Sequence, residues 1–143
     1  MTSFSALAPV SAAIYMALNV AALTTLAPGG VFDVLPLGTT YPCVLFEVSE
    51  QKQFGGFGTQ PGRGHLPEID LRVHVFSQQP KLSDAQAIVA VVLQLLATPP
   101  AVTLYGSWAI FHDQTLDLGD QVVANVTVHE IVATFRLYVE QQG

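Results

Sequence analysis

IDLRVHVFSQQPKLSDAQAIVAVVLQLL, residues 69–96, changes its hydrophobic period halfway along, and that change decides the fold. Ile69, Leu71, Val73 and Val75 alternate with Asp70, Arg72 and His74, the period of two that a half-buried antiparallel strand needs. After the polar turn at 77–81 the period lengthens. Ser83-Asp84-Ala85-Gln86 reads as a capping box, with Gln86 placed to reach back to the cap N–H. The helix body, AQAIVAVVLQLLA, is apolar on nearly all sides, so a sheet is expected on one side and other cover on another. Thr98-Pro99-Pro100 stops it.

Upstream, YPCVLFEVSEQ (41–51) is a second strand, with Cys43, Leu45 and Glu47 on one face and Val44, Phe46 and Val48 on the other. Residues 53–66, QFGGFGTQPGRGHL, join the two strands, so the pair reads as a long hairpin. VFDVLP (31–36) is a short extended piece before it. Further upstream, Leu7, Val10, Ile14 and Leu18 fall on one helical face. Pro9 suits that helix's first turn, and Asn19 is expected to cap a second short helical piece, VAALTTLA. Pro28-Gly29-Gly30 ends it.

Downstream, VTLYGSWAIFHD (102–113) is a strand with Gly106 as a candidate bulge. TLDLGDQ (115–121) carries turn chemistry and reads as the reversal into the last strand. In that strand the apolar residues switch phase, from Val122, Ala124, Val126 and Val128 to Ile131, Phe135, Leu137 and Val139. A break or bulge near His129 and Glu130 is the expected cause. The fold class is α+β, an antiparallel β-sheet with two α-helices packed against it. The order is α-β-β-β-α-β-β, with a long hairpin arm. Residues 1–143 form a single domain with a flexible hairpin loop at about 53–64.

Composition bounds the function. The chain has 143 residues, 50% hydrophobic and 11% charged, and a net charge of −6. This is ample for a core and too apolar for disorder. Its five Lys and Arg, at 52, 63, 72, 81 and 136, are scattered, whereas gripping nucleic acid takes clustered cations. A surface that DNA slides past remains compatible. Met1 to Phe32 contains no charge and is rich in alanine. It lacks the basic start of a signal peptide, and Pro9, Ser11, Asn19, Thr24 and Thr25 dilute it below a membrane span of about 20 apolar residues. A soluble amphipathic helix is the reading.

The five glycines of residues 53–66 raise the question of a phosphate cradle. No Gly-Lys pair exists for a P-loop. Gly56-x-Gly58 is followed by Pro61 where a dinucleotide fingerprint needs its third glycine. Both motifs lead into a helix N-terminus, and this stretch leads into a strand. Two readings stay open: a flexible hairpin loop, or an arm whose Phe54, Phe57 and Arg63 order against another subunit, where aromatics and Arg are favoured anchors.

No catalytic, cofactor or metal site emerges. His129-Glu130 begins like HExxH, but position 133 is Ala and the segment is a strand. His65, His74, His112 and His129 share no ligand spacing, and His74 reads as an ordinary polar-face residue. No serine lies in a nucleophile elbow. No pair among Glu47, Glu50, Glu68, Asp70, Asp113, Asp117 and Asp120 stands out. The single cysteine, Cys43, reads as a buried small hydrophobe.

Four blocks resemble the tail-completion, or tail-terminator, proteins of long-tailed bacteriophages and gene-transfer particles. They are ALTTLAPGGVFDVLP (22–36), TYPCVLFEVSE (40–50), residues 69–96, and VHEIVATFRLYVE (128–140). DQTLDLGDQVVANVT (113–127) stands outside them. The resemblance implies six copies in a ring at the tail–neck junction. The ring would cap the head-proximal end of the tail tube, stop its growth and offer a docking face to head-completion proteins. It implies no enzyme activity, no cofactor, no membrane, and DNA passing through the lumen without specific binding. Other readings are a different neck or minor tail ring protein and, further off, a small-ligand-binding α/β domain.

Overall fold

The computed structural model describes residues 7–34, 40–54, 66–78, 82–100, 105–123 and 126–141. Eight elements follow in chain order: α1 (Leu7–Leu18), α2 (Ala21–Thr24), β1 (Val31–Phe32), β2 (Cys43–Phe54), β3 (Leu66–Ser77), α3 (Leu82–Leu95), β4 (Tyr105–Val123) and β5 (Val126–Gln141). The strands form one sheet in the order β1-β2-β3-β5-β4. Every pairing is antiparallel except the two-residue β1, which runs parallel to β2. The expected α+β class and element order hold, with α2 as the short second helical piece.

The helices lie on one face. Val10, Ala13, Ile14 and Leu18 of α1 and Ala85, Ile88, Val89 and Val92 of α3 are buried. They meet Val44 and Phe46 of β2, Ile69, Leu71, Val73 and Val75 of β3, and Ile131, Ala133, Phe135 and Leu137 of β5 in one core. Each of the larger side chains contributes roughly 1.5–3 kcal/mol by leaving water. Strand alternation therefore sets which face carries the core, and helical spacing supplies the matching stripes.

Asn19 does not cap α2. Val20 holds the cap position in extended geometry with no side-chain cap bond, and Asn19 Nδ2 donates instead to Tyr15 Oη at 3.1 Å. α3 begins at Leu82, one residue ahead of Ser83. Gly29 lies against Thr40 and Pro42, just before β2. Its N–H donates to the Pro42 carbonyl at 2.9 Å, and a Cβ there would sit 1.8 Å from the Thr40 carbonyl oxygen. Only glycine permits that approach.

Two expectations at the C-terminal end fail for related reasons. TLDLGDQ is not a chain reversal: β4 runs straight through it. Its turn residues build a bulge instead, where pairing slips between Asp117 and Gly119. Gly119 takes a positive φ of 74°, its N–H donates to Asp117 Oδ1 at 2.9 Å, and Gln121 Nε2 donates to the Leu118 carbonyl at 2.9 Å. Two further slips lie at Ser107/Ala109 and His112/Gln114. The first is close to, but not at, Gly106.

The phase switch in β5 needs no break. Pairing with β3 is continuous from Ser77↔His129 to Glu68↔Tyr138, and the irregularities opposite β5 all sit in β4. The strand keeps its alternation while the apolar face changes. Ile131, Ala133, Phe135 and Leu137 enter the helix-side core. Val128 enters a second small cluster on the other face, with Cys43 and Phe76 and with Phe32, Tyr41 and Leu45 packed against them. A strand with an oily cluster on each side at different heights reads, in one dimension, as a phase change.

Candidate functional site

Beyond the second cluster the face away from the helices is polar. Leu45, His74 and Val132 lie directly across from one another, as do Glu47, Arg72 and Thr134, and Asp70 and Arg136. His74 is the centre of an acid–base group drawn from three strands. Its Nδ1 shares a hydrogen bond of 2.5 Å with Glu130 Oε2. Its Nε2 lies 2.5 Å from Glu47 Oε1, a close contact without hydrogen-bond geometry. The Phe76 ring stacks beside it, 6.1 Å between centroids. His74 and Glu130 are largely buried, Glu47 half exposed. The sequence reading of His74 as an ordinary polar-face residue gives its place but not its partners, which come from other strands.

Next along the same face, Tyr138 Oη donates to Glu68 Oε1 at 2.8 Å, and Arg136 lies 3.8 Å from Asp113. Burial first, then the bond to Glu68, pushes the Tyr138 phenol up. Asp113 first, then Tyr138 and Glu68, push the Arg136 guanidinium up. These groups line an open groove of about 640 Å³ with Glu68, Asp70, Arg72 and Gln114. Its charges are of both signs and neutralise each other locally. That suits a polar surface more than a site built around one charged ligand.

On the helix side of β4, His129 contacts Asp117 Oδ1 at 2.8 Å through Nε2 and Asp120 Oδ1 at 3.4 Å through Nδ1. Among the described residues no group of three His, Cys, Asp or Glu side chains is arranged to hold a metal ion. The geometry explains this. Both histidine rings engage carboxylates with both nitrogens, so the groups point at one another and not at a shared empty point. Likewise, no described helix is long and apolar enough to cross a membrane.

Apart from Leu26, the exposed large oily side chains among the described residues lie at the two edges of the sheet. Phe111, Leu116, Leu118 and Val122 are 54%, 45%, 44% and 74% exposed, all on edge strand β4. Tyr15 and Met16 of α1, with Val34 just after β1, are exposed at the opposite edge. There Ala8, Ala12, Tyr15, Val31, Phe32 and Phe46 border an open groove of about 560 Å³. A third groove, about 270 Å³, runs between α3 and β4, lined by Val89, Ala90, Leu93, Thr115, Asp117 and Ile131. Large exposed apolar groups in contiguous patches mark interaction surfaces.

Sequence reasoning missed the β4 surface because TLDLGDQ read as a turn. The signal available was the alternation of Leu116, Leu118 and Val122 with polar residues. Of the three candidate arm residues, Phe54 ends β2, with its backbone paired to Leu66. Phe57 and Arg63 lie outside the described residues.

The comparisons give the class, a structural tail protein. The family model described as Tail completion protein gp17 matches residues 12–140, and the chain belongs to that family. A chain from the virion of a native gene transfer agent particle is similar in fold, with a TM-score of 0.68 and 20% identity over 96% of this chain and 99% of that one. A search of curated proteins gives no match.

Proposed function

We propose that six copies of this chain close into a ring on the head-proximal end of the tail tube. The ring stops tube growth, presents a face to the head-completion proteins and sits at the tail–neck junction. One observation carries the reading: bare apolar surface lies at both ends of one sheet, on β4 and on α1 with Val34. The two surfaces differ, so each copy meets the next head to tail, and contacts between unlike patches close into rings. The net charge of −6 and the scattered cations suit a wall that lets DNA pass without holding it. Membership of a tail-completion family supports the place in the virion. Residues 53–64 serve as the arm, with Phe54, Phe57 and Arg63 ordering on the neighbouring copy or on the tube.

Native mass measurement with and without the tail tube protein tests this. A hexamer, formed alone or on the tube, is the expected result. A chain that stays monomeric at high concentration with tube protein present overturns it.

A further inference from the structure

The groove between α3 and β4 has the size and charge to take a segment of this same chain. Its floor is apolar, from Val89, Ala90 and Leu93 of α3 and Ile131 of β5. Its volume, about 270 Å³, exceeds the roughly 150 Å³ that holds a benzene ring in an engineered apolar cavity. Its β4 wall is acidic. On this side β4 carries Asp117 and Asp120, and the strand has no Lys or Arg. Their side chains are 45% and 77% exposed. His129 faces Asp117 and Asp120 together, and one ring cannot neutralise two carboxylates.

One stretch of the sequence has the opposite character. Residues 51–67 contain Lys52, Arg63, Phe54 and Phe57 and no acidic residue. In a chain with only five cations, two fall there. This stretch joins β2 to β3, whereas β4 is the far edge of the sheet.

We infer that the α3–β4 groove of one copy receives residues 51–67 of the next copy, an inference that rests on the ring reading above. The Phe57 ring of the arm enters between Ala90 and Thr115. Lys52 and Arg63 lie along Asp117 and Asp120. Exposed ion pairs contribute only about 0.2–1 kcal/mol each, so the charges set register and partner choice, and the buried aromatic supplies most of the affinity.

Disulfide trapping tests the inference. The doubly substituted chain Phe57→Cys/Ala90→Cys is assembled, checked by native mass, and oxidised with diamide at pH 8. Cys43 does not interfere, because it is fully buried and burial pushes its thiol up to about 12. A ladder of covalent oligomers on a non-reducing gel, ending at the copy number of the ring, is the expected result. A monomer with an internal disulfide overturns the inference, because the arm then reaches its own groove. A ring by native mass with no cross-link also overturns it while leaving the ring reading intact. A parent chain that never assembles, alone or with tube protein, removes both. As a second arm of the test, Ala90→Arg places a cation in the groove. Its helical signal should match the parent's, and assembly should weaken at least tenfold. Unchanged assembly by this variant contradicts the groove as the docking surface.

Discussion

Cys43 offers the sharpest quantitative test, because its burial makes stability depend on pH in a defined window. The residue is fully buried in the second cluster with Phe76 and Val128. Burial pushes its thiol from 9.0 up to about 12. A thiolate is disfavoured there because the surrounding apolar groups cannot solvate it. In the unfolded chain the thiol ionises near its ordinary value, so above that value the unfolded state binds fewer protons than the folded one. Stability is therefore complete below about pH 9 and falls as pH rises toward about 12. The full gap corresponds to a ceiling of about 4 kcal/mol, and about 2 kcal/mol of it is lost by pH 10.5. The assay is urea unfolding followed by circular dichroism at pH 7.5 and 10.5, for the parent and for Cys43→Ala. The raised Tyr138 phenol acts alike in both proteins, and the Tyr41 phenol, raised by burial first and the Cys43 thiol second, keeps its burial part in the variant. The packing cost of losing the sulfur is the same at both pH values. The parent should thus lose about 2 kcal/mol more than the variant over that interval. Equal losses would refute the reasoning and mean that water reaches the thiol.

Gly29→Ala should cost more than about 4 kcal/mol or abolish folding, since the new methyl would overlap the Thr40 carbonyl; a melting temperature within a few degrees of the parent's contradicts this. Leu18→Ala removes a fully buried side chain and should cost about 2–5 kcal/mol, read as a lower urea midpoint with an unchanged slope. Glu130→Ala strips the buried carboxylate bonded to His74 and should cost about 1–3 kcal/mol. In a double-mutant cycle with His74→Ala the losses should fall short of additive, and simple additivity would mean that the pair does not interact energetically.

The sheet's centre was legible from sequence because each side chain there answers only to its own strand. Ile69 to Val75 alternate since one face meets helices and the other meets polar groups. The stripe of Val10, Ile14 and Leu18 was legible for the same reason. Legibility failed where one local signal has two structural uses. Asp117-Leu118-Gly119-Asp120 has the chemistry of a tight turn, and the chain spends it on a bulge inside a long strand. The shift of apolar residues in β5 resembles a bulge, yet the strand is regular and its two faces are oily at different heights. Asn19 has a capping side chain but reaches back to Tyr15. The contacts of His74 with Glu47 and Glu130 join residues far apart in sequence, so no spacing rule exposes them. The β4 surface was lost together with the mistaken turn, while the candidate arm was noticed because Phe54, Phe57 and Arg63 interrupt a glycine-rich stretch.

The slips in β4 fall at nearly even intervals, near Trp108, Asp113 and Leu118. An outermost strand of 19 residues would ordinarily invite foreign strands to add by main-chain bonding, the route to amyloid-like stacking. Here the rail is cut into segments of about five residues, each rotated against the last. An arriving backbone can match only one segment before losing step. The long outer border is thus one that fibrils cannot zip along, and recognition there is left to side chains.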